Sequence, residues 1–308
     1  MTSFADRLQS SFEKTNSALI AGCDPVLDKL PKFLLVDAEK RAATDDAFIE
    51  HALSRFTELF LAAVTGRVAA IKPNIAFFEQ YGLPGLAVFK RFCDQIRASE
   101  IPLIIDAKRG DIGSTAAAYS AAFLGGVAVR GKRSVAFEGD ALTINPFLGF
   151  DTLEPFLTDC ERYGKGLFVL LQTSNPGAKD IQGLHSGGRT VSEHIAHWLN
   201  ANAARLQGEC GWSGLGAVVG ASYPDEARRL RALLPTTFFL MPGFGAQGAG
   251  ADDAVAGFGS RNGSRGGALV NVSRGLLEGS ADSDSSLVDL ITANTTKFNA
   301  TLSAALKH

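Results

Sequence analysis

The chain has 308 residues, a formal net charge of −2 and a sequence pI near 6.2. This length can bury a large core, and the balanced charge argues against general binding to nucleic acid or to a membrane surface. Its four cysteines, Cys23, Cys93, Cys160 and Cys210, are widely spaced and form no C-x-x-C pair. Together with the lack of a signal-peptide pattern and of any membrane-length apolar run, this predicts a cytoplasmic protein with reduced thiols.

Eight short apolar runs alternate along the chain with segments of helical periodicity. The runs lie at residues 18–25, 68–74, 102–106, 141–145, 166–172, 215–221, 238–243 and 268–273. Apolar residues spaced three and four apart predict helices, for example over residues 86–96 and in the tail at 287–306. Asp151 is predicted to cap the helix that follows the fourth apolar run, and Gly164 is predicted to end that helix. Ser222 is predicted to cap the helix that follows the sixth run.

This alternation predicts the fold class. Strands that alternate with helices form a parallel sheet with right-handed crossovers. Eight such units favour a closed (β/α)8 TIM barrel of the α/β class over an open, doubly wound sheet. Since no repeat, low-complexity tract or linker divides the sequence, we expect residues 1–308 to form a single domain.

Three insertions follow the first, fifth and seventh predicted strands, at residues 26–46, 173–190 and 243–267. In a barrel they lie on the face that carries active sites, so they are predicted to act as lids. The alternative is disordered surface, which we expect for the glycine-rich tip at residues 257–266.

Charged side chains stand where the first three predicted strands end. Asp24 and Lys72 end the first two, and the third runs into Asp106 and Lys108, with Asp111 shortly after. Side chains two apart on a strand share a face, so Asp106 and Lys108 should point the same way. Unlike charges at the mouth of a buried strand must pair or take part in chemistry. For Asp106 and Lys108 taken alone, the alternative interpretation is a simple ion pair at a strand end.

The last two strand ends favour a phosphate site. Residues 241–248, which include Pro242 and Gln247, form a glycine-rich loop after the seventh strand, and Arg274 follows the eighth. Glycines let backbone N–H groups approach an anion, and barrels usually bind phosphate at these two loops. Arg274 can form a bidentate pair with phosphate, and Gln247 can donate from its amide. Taken alone, the G-x-G pattern of residues 243–245 would be interpreted as a turn.

Together these motifs resemble the longer, type 2 form of the orotidine 5′-phosphate decarboxylase family. The D-x-K-x-x-D motif matches Asp106, Lys108 and Asp111, and K-P-x-x-A-F-F-E matches residues 72–79. The motifs P-G-x-G-A-Q-G and S-R-G match residues 242–248 and 273–275. The resemblance implies a cofactor-free and metal-free lyase that converts orotidine 5′-monophosphate to uridine 5′-monophosphate and CO2, the last step of de novo uridine 5′-monophosphate synthesis.

The resemblance also implies roles for individual residues. Lys72, Asp106, Lys108 and Asp111 would form an alternating charged array, with Lys108 stabilising and then protonating the carbanion. Other implied contacts are Asp24 and Lys72 with ribose hydroxyls, Ser174 with the pyrimidine edge, and Pro242, Gln247 and Arg274 with the substrate and its phosphate. The register at Ser174 is open, because Thr173 precedes it. Asp111 and Thr115 would reach a partner's site, which implies a homodimer with shared sites.

Two other function classes remain in view. Magnesium-dependent sugar-phosphate aldolases and decarboxylases share the D-x-K-x-x-D barrel but lack the lysine of the second strand, so Lys72 favours the cofactor-free reaction. A catalytically inactive barrel that only binds nucleotides is the second alternative. The intact charged array argues against it, since a binding module has no need of buried like charges near its ligand.

Overall fold

The computed structural model describes residues 2–245, 250–261 and 264–307. Its main sheet consists of parallel strands that we number β1 to β8: Leu19–Cys23, Ala70–Pro73, Ile104–Arg109, Ala141–Ile144, Gly166–Gln172, Ser213–Val219, Thr237–Pro242 and Ala268–Val272. They pair in the order β2-β1-β8-β7-β6-β5-β4-β3. Parallel bridges from Ile71 to Leu103 and from Asn74 to Asp106 join β2 to β3 and bring the two edges together. Every predicted strand overlaps an observed one, and the (β/α)8 fold class is confirmed.

Helices surround the barrel and cover its strands. Within the described ranges they are α1 to α11: Phe4–Thr15, Lys32–Arg41, Asp45–Val64, Ala76–Glu79, Gly82–Ala98, Gly113–Ser120, Glu154–Tyr163, Val191–Asn202, Pro224–Leu233, Ala251–Ala254 and Asp284–Ala305. The helix predicted over residues 86–96 lies inside α5, and its periodic apolar residues face the core. The predicted tail helix is α11, which packs against α3. In the part of the chain that is described, no helix has the length and hydropathy to cross a membrane.

Two predicted helix caps are wrong. A short 3-10 turn that contains Asp151 runs directly into α7, so Leu153, which has no capping side chain, stands at the boundary. Pro224 fixes the start of α9 one residue later than expected, and the buried Ser222 hydroxyl has no partner within the described residues. The predicted end of α7 is confirmed, because Gly164 adopts the left-handed conformation there with φ 63°.

The N-terminal helix α1, which the sequence analysis did not predict, closes one end of the barrel. Phe4, Ala5 and Leu8 are buried in the same cluster as interior barrel residues such as Phe168. The rings of Phe4 and Phe168 meet edge to face with their centroids 6.0 Å apart. Because each fully buried phenylalanine contributes about 1.5–3 kcal/mol, this contact anchors the end of the barrel where the strands begin.

The described parts of the three insertions contain regular secondary structure. Residues 26–46 contribute α2, which packs on α3, and residues 173–190 include an antiparallel ribbon of His185–Ser186 with Arg189–Thr190. The expectation of disorder at residues 257–266 is wrong for the residues described, since Gly259–Arg261 pairs with Ser264–Gly266. Trp212 covers the base of this ribbon so closely that a Cβ at Gly267 would lie 2.3 Å from its ring.

Candidate active site

The carboxyl ends of the strands open on a cavity of about 500 Å³. Since parallel strands of a barrel end at the same face, residues far apart in sequence converge there. Seven predicted site residues line it: Asp24, Lys72, Asp106, Lys108, Ser174, Pro242 and Arg274. Asp111 and Thr115 do not line this cavity, and Gln247 lies outside the described residues.

The floor of the cavity holds a carboxylate between two ammonium groups. The two oxygens of Asp106 each accept from one lysine, Oδ2 from Lys72 Nζ at 2.6 Å and Oδ1 from Lys108 Nζ at 2.6 Å. Lys72 and Asp106 are only 4% and 6% exposed, whereas 48% of the Lys108 side chain is exposed. Lys72 is therefore the buried counter-charge of Asp106, and Lys108 is the member of the cluster that is most exposed to solvent.

The charges of this cluster reinforce one another. Burial alone would raise the pKa of Asp106, but the charges of Lys72 and Lys108 and their hydrogen bonds hold it well below its ordinary value. Burial likewise acts to lower the pKa of Lys72, but Asp106 and Asp24 outweigh it and raise that pKa. Both buried groups are therefore charged at neutral pH.

Lys108 occupies an unusual backbone conformation. Its φ of 48° lies in the left-handed region, which a non-glycine residue adopts at an energetic cost. The pairing of β3 with β4 is irregular here, because its register shifts between Ile105 and Arg109. Asp106 and Lys108 do meet, as expected, but through this bulge and not through the regular alternation of a strand.

Thr143 on β4 is a site residue that the sequence analysis missed. It lines the cavity, and its hydroxyl donates to Asp106 Oδ1 at 2.9 Å. The Thr143 hydroxyl oxygen also accepts from the backbone N–H groups of Ala107 and Lys108, each at 3.0 Å. A hydroxyl residue in an otherwise apolar buried strand, beside the strand of the charged motif, was the signal available in the sequence.

Asp111 and Thr115 lie outside the lining of the cavity. The Asp111 carboxylate accepts from the N–H of Ile112 at 2.8 Å, and Thr115 is exposed in the first turn of α6. Gly110 turns the chain here, where a Cβ would lie 2.7 Å from the carbonyl oxygen of Asn145. Within one chain the cavity thus holds three members of the predicted four-residue array.

The loop after β5 brings Ser174 and Thr173 to the cavity wall. Gln182, a second residue missed in the sequence, holds this loop: its amide donates to Thr173 Oγ1 at 2.8 Å and accepts from Thr173 N at 2.9 Å. Gly220 allows the close approach, since a Cβ there would lie 2.9 Å from that of Ser174. The Thr173 hydroxyl is engaged, whereas the Ser174 hydroxyl makes no hydrogen bond in the part of the chain described.

Another part of the cavity lining carries polar groups that have no partner among the described residues. The guanidinium of Arg274, just after β8, makes no ion pair within the described ranges, and Pro242 and Gly243 line the cavity beside it. Asp24 Oδ1 and Asn271 Oδ1 are buried and accept no hydrogen bond from the described residues. Because unpaired buried acceptors are costly, these atoms favour a ligand that brings hydroxyl or N–H donors.

A comparison with known protein families matches residues 51–286 to the family described as orotidine 5′-phosphate decarboxylase / HUMPS. The chain belongs to this family. The orotidine 5′-phosphate decarboxylases of Caldicellulosiruptor bescii and Rhodopirellula baltica are 39% and 40% identical to it, and the alignments cover 90% of the chain and 90% and 89% of those proteins. The solved structure of Leishmania donovani OMP decarboxylase is 30% identical, with a TM-score of 0.72 and full coverage of both chains.

Family membership confirms the resemblance inferred from the motifs. The structure also explains one motif residue of the orotidine 5′-phosphate decarboxylase family that carries no chemistry in the cavity. Glu79, the last residue of K-P-x-x-A-F-F-E, forms an ion pair of 2.5 Å with Arg109, which stacks on the rings of Tyr119 and Phe123. This contact ties the helix after β2 to the end of β3.

Proposed function

We propose that this protein decarboxylates orotidine 5′-monophosphate to uridine 5′-monophosphate and CO2 without a cofactor, with Lys108 as the proton donor. The observation that carries the proposal is the cluster of Lys72, Asp106 and Lys108 at the floor of the cavity, with hydrogen bonds of 2.6 Å on both sides of Asp106. Membership of the orotidine 5′-phosphate decarboxylase / HUMPS family supports the same reaction.

The chemistry requires a charge array of this kind. When the bond between ring carbon six and the carboxylate breaks, its electron pair stays on that carbon, where no adjacent carbonyl can delocalise it. Stabilisation therefore has to be electrostatic, and the Lys108 ammonium can supply it and then transfer its proton to carbon six. The exposed part of Lys108 lets solvent return that proton afterwards.

Asp106 would act on the substrate carboxylate. Two negative charges about 4 Å apart repel by roughly 4 kcal/mol at an effective dielectric constant near 20. This repulsion disappears as neutral CO2 forms, which favours the transition state over the bound substrate. The lysines on either side keep Asp106 charged and in place for this role.

The cavity walls suit the remaining parts of the nucleotide. We assign the phosphate to Arg274, beside Pro242, because a guanidinium without an ion pair among the described residues can bind phosphate in a bidentate manner. The family motif alone assigns Gln247 to the same phosphate. Asp24 and Lys72 would bind ribose hydroxyls, in agreement with the unpaired Asp24 oxygen. The unengaged Ser174 hydroxyl would bind the pyrimidine edge, since that of Thr173 is already bonded.

We further propose that the active unit is a homodimer with shared sites. Asp111 and Thr115 lie outside the cavity of their own barrel, so they are available to a partner's cavity. The neighbouring loops expose three large apolar side chains, Ile112, Phe147 and Leu148. Exposed apolar groups beside functional residues are typical of a protein–protein interface.

The proposal also covers the domain organisation, the absence of certain partners and the localisation of the protein. Residues 1–308 would form one decarboxylase domain, as the packing of α1 in the barrel end and of α11 on α3 supports. A net charge of −2 supports the absence of a nucleic-acid or membrane partner. We place the protein in the cytoplasm, because its four cysteines are free thiols.

An absorbance assay with purified protein and orotidine 5′-monophosphate, with and without a chelator, tests the proposal. We expect uridine 5′-monophosphate and CO2 to form at the same rate in both. A metal-dependent relative would lose its activity with the chelator, and a pure binding protein would bind the product without turnover. The metal alternative is disfavoured here because both oxygens of Asp106 already accept from a lysine.

A further inference from the structure

The Thr143 hydroxyl makes every hydrogen bond available to it with the charged segment of residues 106–108. It donates one hydrogen bond, to Asp106 Oδ1, and accepts two, from the N–H groups of Ala107 and Lys108. A threonine hydroxyl has one donor and two acceptor positions. With a relative exposure of 2%, Thr143 is sealed from solvent on the strand side of the cavity.

The register of the barrel explains why this hydroxyl is needed. Ile105 pairs with Leu142 and Arg109 with Ile144, so Thr143 alone stands opposite the three residues between Ile105 and Arg109. A bulge of this kind leaves backbone groups without partners in the sheet ladder. The Thr143 hydroxyl accepts from two such N–H groups, at the point where Lys108 adopts a left-handed φ of 48°.

We infer that Thr143 is a positioning residue for the proposed decarboxylation, on which this inference rests. Its hydroxyl fixes the orientation of the Asp106 carboxylate and holds the strained backbone of Lys108, so that the lysine Nζ stays aimed at the reacting carbon. Without the hydroxyl, two buried N–H groups lose their acceptor and Asp106 loses a donor. The backbone of Lys108 can then relax and carry Nζ away from the carbon.

Thr143→Val removes the hydroxyl at nearly constant volume and is the main test. Misplacing a reacting group by about 1 Å can cost 100-fold in rate, so we expect kcat on orotidine 5′-monophosphate to fall about 10- to 100-fold. KM and the Kd of uridine 5′-monophosphate should stay within about threefold, because Asp24 and Arg274 do not depend on Thr143. Thr143→Ser keeps the hydroxyl and should retain kcat within about fivefold.

Thr237→Val is the matched control. Thr237 is also a buried threonine on a barrel strand, but it lies at the start of β7 and its hydroxyl has no partner within the described residues. This variant should keep both kcat and KM. Thermal unfolding of each variant identifies an assay temperature at which all variants are folded. If Thr143→Val does not fold, Thr143→Ala replaces it, and we expect the same loss of kcat.

The outcomes separate this inference from the proposed function. If the wild-type protein does not turn over orotidine 5′-monophosphate, the proposed function is wrong. If the wild type is active and the hydroxyl-free variant keeps kcat within about threefold, the positioning role is wrong while the function stands. Equal losses in the serine and hydroxyl-free variants would also overturn it, since the hydroxyl would then not be the operative group.

Discussion

Each end of the barrel carries an aspartate between two cations, but the two clusters are built differently. At the carboxyl end, Asp106 accepts from Lys72 and Lys108. At the amino end, Asp140 directly precedes β4 and lies 2.8 Å from Arg7 of α1 and 3.7 Å from Lys165. The same combination of charges therefore occurs at both ends of one set of strands. We call Lys72, Asp106 and Lys108 the upper cluster, and Arg7, Asp140 and Lys165 the lower cluster.

Main-chain groups form hydrogen bonds with the side chains of the lower cluster. Asp140 Oδ2 accepts from the N–H of Leu103 at 2.9 Å, and Arg7 also donates to the carbonyl oxygens of Thr2 and Gly164 at 2.7 and 3.3 Å. These bonds connect α1 to the starts of several strands. The lower cluster thus holds the closing helix in place.

The upper cluster is open instead. Lys108 has Asp106 as its one hydrogen-bonded partner among the described side chains, and its ammonium can donate three bonds. The lysines also respond in opposite ways: burial lowers the pKa of Lys165, whereas the charges of Asp106 and Asp24 overcome burial and raise that of Lys72. We therefore interpret the half-exposed Lys108 ammonium beside Asp106 as a group for chemistry, and the pair of Arg7 and Asp140, which bonds several main-chain groups, as structural.

Replacing Lys108 by alanine should have the largest effect on activity. General acid catalysis contributes about 10²- to 10⁴-fold, so kcat should fall by more than about 100-fold. The fold should persist, because this side chain is half exposed. Turnover assays and urea unfolding of the same preparation check both statements. Activity within about tenfold of the wild type would refute the role of proton donor.

Mixing two inactive variants should restore activity if the sites are shared. With Asp111→Asn in one subunit and Lys72→Ala in the other, a heterodimer has one site with both lesions and one with neither. Random exchange should then recover roughly a quarter of the wild-type activity. The measurement is the activity of the mixture, after mass analysis has verified the exchange. No recovery in verified heterodimers would place Asp111 in its own barrel.

Arg274→Ala should separate binding of the phosphate from binding of the nucleoside. A hydrogen bond to a charged group contributes about 1.5–3 kcal/mol, so the affinity for uridine 5′-monophosphate should fall roughly 10- to 100-fold. The affinity for uridine should be almost unchanged. Calorimetric titration with both ligands is the check, and Arg7→Ala at the opposite barrel end is the control. Equal losses for both ligands would place Arg274 away from the phosphate.

The depressed pKa of Asp106 should appear as a dependence of stability on pH. Below about pH 4 the unfolded chain protonates this carboxyl while the folded protein does not, so the stability it contributes is complete above this pH and declines below it. The free energy of unfolding should therefore decrease more steeply for the wild type than for Asp106→Asn, by up to about 1.4 kcal/mol per pH unit. Urea unfolding from about pH 5 downward measures both slopes, and parallel slopes would contradict the shift.

The sequence could predict the strands and most of the upper cluster, because hydrophobic runs ending in charge mark the carboxyl ends of barrel strands. The sequence could also distinguish Asp106 from Asp140 by position, because Asp106 follows an apolar run whereas Asp140 precedes one. The bulge at Lys108 and the contacts of Thr143 and Gln182 depend on the register of neighbouring segments, which a single sequence does not reveal. Likewise α1 was missed, since its apolar face has a partner only once the barrel closes.

The central claim is that the upper cluster does chemistry and the lower one holds the fold. Measuring kcat and the free energy of unfolding for Asp106→Asn and Asp140→Asn side by side tests it most directly. We predict that Asp106→Asn loses more than about 100-fold in kcat. Asp140→Asn should keep kcat within about threefold and lose about 1–3 kcal/mol of stability, since it leaves Arg7 and Lys165 without their counter-charge. A loss of kcat in Asp140→Asn as large as in Asp106→Asn would contradict the account.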